Sequence, residues 1–165
     1  MPQIIKNGVV VDDGWQLIEN IENGQTAPDS IEANSLIPLS MWLAEDKLSR
    51  RNDIGVWLKS DDGVASLVDY LPNLPIIAIH FPTFTDGRGF SNARLLRERY
   101  GYMGEIRAIG YVLRDQLCYL KRCGFNAFVL QPDVDLSAAL VSLNDFSESY
   151  QASADQQKPL FRRRA

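Results

Sequence analysis

Short apolar runs alternate with amphipathic stretches along almost the whole chain. IIKNGVVV sets apolar residues on both sides of Asn7-Gly8, a pair that favours a tight hairpin turn. The hairpin is read over Ile4 to Ile18, with DDGW as a second turn. Residues 19–35 are polar and rich in turn formers, and read as a surface loop. Leu36 to Leu39 is a short apolar run, and Ser40 is placed to cap a helix over Met41 to Arg51. Asp53 to Lys59 reads as a strand. Val64, Leu67, Val68 and Leu71 then recur at helical spacing until Pro72 and Pro75 end that helix.

The central unit follows. Ile76 to Phe81 has the composition of a buried strand, and the loop DGRGFS (Asp86 to Ser91) leads into a helix carrying Arg94, Arg97 and Arg99, with Arg94 and Arg97 expected on one face. Ile106 to Val112 reads as the next strand. A helix with Leu113, Leu117 and Leu120 on one face comes next, with Gly124 where a left-handed C-cap belongs. Phe125 to Gln131 reads as another strand, and Asp135 begins a last helix. Residues 1–147 are therefore expected to form a single α/β domain, and residues 148–165 a polar, basic-ended flexible tail.

An N-terminal hairpin followed by four or five βα units implies a parallel sheet. Two architectures fit: an open sheet with helices on both faces, or a half-barrel arc of consecutive βα units. The open sheet is the first expectation. In both, ligands meet the loops at the carboxyl ends of the strands, here 81–91, 111–115 and 131–135.

Composition narrows the function classes. At 165 residues, 45% hydrophobic and 23% charged, the chain is that of an ordinary globular protein. No apolar run approaches the roughly 20 residues that cross a membrane, and no signal-peptide core opens the chain. A cytoplasmic location with reduced thiols is expected. Cys118 and Cys123 lie five apart on a helix, on different faces, and no cysteine or histidine cluster suggests a metal. Net charge is −4, yet residues 88–122 hold 8 basic and 3 acidic side chains. That pattern suits an anionic small ligand or an acidic partner better than nucleic acid. Self-association is left open.

The chemistry follows from the same stretch. Gly87 and Gly89 let a backbone approach a ligand, Ser91 can cap the helix or bond an oxyanion, and Arg88 can close over it. Asp86 and Arg94 complete this anion-binding reading, with Arg107 entering from the next strand. A turn that simply needs glycine is the competing reading. Asn92 occupies the third glycine position of a dinucleotide fingerprint, so that motif is weak. Glu105 and Arg107 alternate along a strand and point to one side, and Asp115 and Gln116 open the next helix. Together these groups are expected at one end of the sheet beside the DGRGFS loop. A purely structural Glu105–Arg107 ion pair is the alternative. For catalysis the candidates are Glu105, Asp115 and His80, the only histidine.

DGRGFSNARLLRERYGYMGEIRAIGYVLRDQLCYLKRCGFNAF resembles the signature of the bacterial domain-of-unknown-function family 934. Its motif positions correspond to Asp86, Gly87, Arg88, Gly89, Ser91, Arg94, Glu105, Arg107, Asp115, Gln116 and Arg122, with Gln116 and Arg122 in supporting places. The resemblance implies a role in assimilatory sulfite reduction. It would be an accessory protein that binds the reductase, or a small oxyanion such as sulfite, sulfate or phosphate. The alternatives are an oxidoreductase using an external cofactor of unknown identity, and a non-catalytic interaction module. Whether the protein is an enzyme is left open by the sequence.

Overall fold

In the computed structural model, residues 1–19 and 31–164 are described, so the middle of the expected 19–35 loop lies outside them. The strands are β1 (Gln3–Lys6), β2 (Val9–Asp12), β3 (Gln16–Leu17), β4 (Ser35–Pro38), β5 (Ile54–Leu58), β6 (Ile76–Phe81), β7 (Glu105–Gly110) and β8 (Ala127–Phe128). The helices are α1 (Leu39–Ala44), α2 (Arg88–Arg94), α3 (Leu117–Cys123), α4 (Leu136–Val141) and α5 (Leu160–Arg163). A π-helical turn, Leu95–Arg99, continues α2.

β1 and β2 form the expected hairpin. Asn7 and Gly8 have φ of 50° and 79°, the two positive values that a tight turn of this hand demands. The second expected turn does not return to this hairpin. DDGW instead carries the chain to β3, which pairs in parallel with β4.

All strands form one sheet in the order β2-β1-β8-β7-β6-β5-β4-β3. From β3 to β8 every neighbour is parallel and sequential, with no reversal of order. This is the arc of consecutive βα units, the second of the two architectures expected. The curl follows from chain length. Three residues, Asp13 to Trp15, join the two edge strands and with their flanking bonds span at most about 14 Å. A flat sheet of eight strands at ~4.8 Å spacing would hold its edges about 34 Å apart.

Curling creates an inside and an outside. The outer face carries Ile54, Val56, Leu58, Ile77, Ile79, Phe81, Ile106 and Ala108, in one core with Leu67, Leu96, Leu117 and Leu120. The inner face carries Leu36, Trp57, Ile76, Ala78 and Ile109, with Trp15 packed against them. Strand alternation assigns the faces, since successive side chains point to opposite sides. Close helix contact is visible at Gly89, whose substitution by a larger residue would set a Cβ 2.8 Å from Ile79 and Phe81.

Several local expectations are corrected. Ser40 lies inside α1, whose N-cap is Pro38 without a side-chain cap, and α1 is short, followed by a single 3-10 turn, Leu48–Arg50. Val64–Asn73 is a 3-10 helix that carries Pro72 within it. Asp135 does cap α4, accepting from the Ser137 and Ala138 amides at 2.9 and 3.3 Å. Gly124 ends α3 at φ 112° as expected. In the segment after residue 147, Ser153 is buried and bonds the Arg122 carbonyl at 2.7 Å, and Arg163 reaches Glu148 at 2.9 Å.

Candidate functional site

The polar residues that the sequence singles out in the central unit fall into separate places. The first is the rim where β5 and β6 end. Asp86 accepts from Arg88 through both oxygens, Nε–Oδ1 at 3.0 Å and Nη2–Oδ2 at 2.7 Å. Its Oδ1 also takes the Arg88 amide at 3.2 Å, and Arg88 Nη2 reaches Ser60 at 2.9 Å. Gly87 is the N-cap and Ser91 stands one turn inside α2, exposed, so Ser91 does not cap the helix. The carboxylate of Asp86 thus sits at the start of α2, where the helix favours negative charge. The loop supplies its own anion.

The Arg88 guanidinium, followed by the Ser60 hydroxyl, holds the Asp86 carboxyl far below the usual carboxylate range. A depressed pKa contributes stability that is present above the unfolded value and lost as pH falls through the folded one. Acid unfolding of the wild type should therefore steepen below about pH 4, the ordinary Asp value. Asp86→Asn should flatten that part of the curve, measured as midpoint against pH. An unchanged profile would refute this assignment.

The second place is the interior. Arg107 is 2% exposed and projects from β7 into the curled sheet. Its Nε bonds Glu105 at 2.6 Å, and its Nη1 takes both oxygens of Asp13 at 3.0 and 2.9 Å. Lys6 Nζ lies 2.8 Å from the other oxygen of Glu105. Two cations and two carboxylates therefore alternate, buried at Glu105 and Arg107 and open to solvent at Lys6, whose side chain is 40% exposed. The expected Glu105–Arg107 pair exists, but not at the rim. Glu105 lies beside Ile76, and Phe81 beside Gly110, so about 16 Å of strand separates Glu105 from the DGRGFS loop. The expected convergence of Arg88, Glu105, Arg107 and Asp115 at one sheet end is not found.

The third place is the outer surface. Ser91, Arg94, Leu95, Glu98 and Arg99 border one groove, with Arg94 Nε bonded to Glu98 at 2.9 Å. Asp115 and Arg122 share a second with Cys118, Tyr119 and Phe146. Gln116 works locally, accepting from the Leu113 amide at 3.1 Å. Arg97 does not share the Arg94 face. It is half-buried and donates to the carbonyls of Tyr102, Gly104 and Gly124 at 2.6, 2.8 and 2.9 Å.

His80 lies on the inner face against Trp57, rings 5.9 Å apart, whose indole bonds the Ile18 carbonyl at 2.9 Å. Both thiols are buried, and burial raises the Cys123 thiol above its ordinary value. Among the described residues, no cluster of three His, Cys, Asp or Glu side chains could hold a metal, and no helix is long and apolar enough to cross a membrane.

Sequence reasoning missed Ser60, Lys6 and Asp13. Lys6 carried a signal: it alternates with buried Ile4, so it faces the same side. Asp13 carried none, because its partner is ninety-four residues away.

The family model described as "Bacterial protein of unknown function (DUF934)" matches residues 55–161. No curated protein and no solved structure matches the chain.

Proposed function

This chain belongs to the DUF934 family, and on that premise we propose that it is an accessory protein of assimilatory sulfite reduction that docks on the reductase through the DGRGFS rim. The setting is the one implied by the signature. The observation that carries the choice of mode is the Asp86–Arg88–Ser60 arrangement, which fills the anion position with a carboxylate of the protein itself. Such a loop is fixed in shape before any partner arrives, and rigid surfaces lose less entropy on docking. The strand ends also present aromatic side chains outward: Phe84 is 53% exposed and Tyr111 47%. The Tyr111 amide bonds the Phe81 carbonyl at 2.7 Å, so the two loops adjoin. Aromatic and arginine side chains are the usual anchors of protein interfaces.

The experiment is a binding titration of the purified chain against sulfite reductase. The double variant Phe84→Ala, Tyr111→Ala should weaken binding at least about tenfold, since anchor truncations cost over about 1 kcal/mol each. Binding that ignores both changes defeats the docking reading. A melting-temperature rise with sulfite, sulfate or phosphate that Arg88→Ala abolishes would favour the small-oxyanion form of the site instead.

A further inference from the structure

A cleft of about 740 Å³, within the range of small-ligand sites, lies where β8 begins, at the opposite end of the sheet from the DGRGFS rim. It sits between the Asn7-Gly8 turn, the end of α3, and α4 with the 3-10 turn Ser142–Asn144 that follows it. Its wall is apolar. Phe125, Phe128 and Leu143 are buried, Leu140 is half-buried, and Val141 is 67% exposed. The Asn126 side chain in the lining is already engaged: Oδ1 accepts from the Ile106 amide at 2.8 Å, and Nδ2 donates to Asn7 Oδ1 at 3.3 Å. Lys121 differs. Its exposed ammonium donates to Asn144 Oδ1 at 2.8 Å, a neutral acceptor, and among the described residues no carboxylate lines the cleft.

A cation at the solvent side of an apolar wall suits an amphiphile of opposite charge. A neutral apolar ligand would cover part of the ammonium and give it no counter-charge. A polyanion such as a nucleotide would meet one cation and a surface that cannot bond its remaining oxygens. The asparagine bonds fix the wall beforehand, which lowers the entropy lost on binding. We propose that this cleft binds a monocarboxylate with a hydrocarbon tail, of the medium-chain fatty-acid type. The carboxylate pairs with Lys121, and the tail lies along Phe125, Phe128, Leu140 and Leu143.

The test follows the methyl NMR signals of Leu140, Val141 and Leu143 in the full chain. Hexanoate, octanoate and decanoate are titrated below their micellar concentrations, with 1-octanol as the uncharged control. These methyls should shift, and affinity should rise about threefold per added methylene. Lys121→Met keeps an apolar stem at an exposed position. It should weaken octanoate about threefold or more and leave octanol unchanged. Val141→Glu, also at an exposed position, should weaken octanoate more than octanol by placing a like charge at the cleft. Three results would overturn the proposal. One is no movement of these methyls at about 5 mM octanoate, where even millimolar affinity would register. Another is equal affinity across the three chain lengths, or an unchanged response to octanoate in Lys121→Met. The last is a dimer in sedimentation that Val141→Glu dissociates while octanoate leaves the methyls unmoved, which would assign the groove to a second copy of the chain.

Discussion

Arg107→Met is expected to lower the free energy of unfolding by about 3–5 kcal/mol, the largest single effect in the protein. The reason lies in what remains. Arg107 is the cation between Asp13 and Glu105, and all three side chains are at most 10% exposed. Removing it leaves two carboxylates in a poorly hydrated interior with only Lys6 to answer them. The loss reflects uncompensated charge more than the worth of the pair, and that can be measured separately. The triple variant Arg107→Met, Glu105→Gln, Asp13→Asn should recover a large part of the loss, because no orphaned charge is left. Chemical denaturation reads both. A single variant within about 1 kcal/mol of wild type would show that solvent reaches this network freely.

Arg97→Ala should cost about 3 kcal/mol or more, for a different reason. No carboxylate is involved. One guanidinium gathers the carbonyls of Tyr102, Gly104 and Gly124, tying the end of the α2 region to the loop before β7 and to the C-cap of α3. Charged hydrogen bonds contribute about 1.5–3 kcal/mol each, and their loss here strands backbone acceptors that water reaches poorly. The chain keeps the residue charged although burial pulls its pKa below the ordinary arginine value. Arg97→Lys should recover little, since one ammonium cannot span three carbonyls in the geometry of a fork. Protection of the Tyr102 and Glu105 amides, bonded to the Leu96 and Pro75 carbonyls, against hydrogen exchange should fall with stability. Full protection in Arg97→Ala would contradict the clamp.

The parallel sheet was legible because strand and helix patterns alternate, and strands buried on both faces read as continuous apolar runs such as IIAI. The curl was not. It depends on where β3 pairs, and two residues, Gln16 and Leu17, carry no pattern that names their neighbour. Glu105 and Arg107 were read onto one side by strand alternation, and they are. They lie where the strand begins, and grouping them with the loops at its other end overlooked the length of β7, about 16 Å from Glu105 to Gly110. The arginine series failed for a geometric reason. Helical spacing put Arg94 and Arg97 on one face, but the backbone from Leu95 widens into a π turn, which changes the rotation per residue. Arg97 thereby faces inward and Arg94 does not. Ser91 was expected to cap because serine favours that place, yet Gly87 already begins the helix and Asp86 bonds its first amide.

The short hairpin at the start of the chain is paired on its inner side with the last strand of the sheet, Ile5 opposite Phe128. During synthesis, therefore, the first strand emerges from the ribosome long before its mate exists. It must wait, paired with β2 on one edge only, until about three-quarters of the chain has followed. Pairings this remote in sequence slow folding to the order of milliseconds to seconds, since loop entropy is lost before contacts reward it. The rate of acquiring native structure should accordingly be set by ring closure, not by any of the helices.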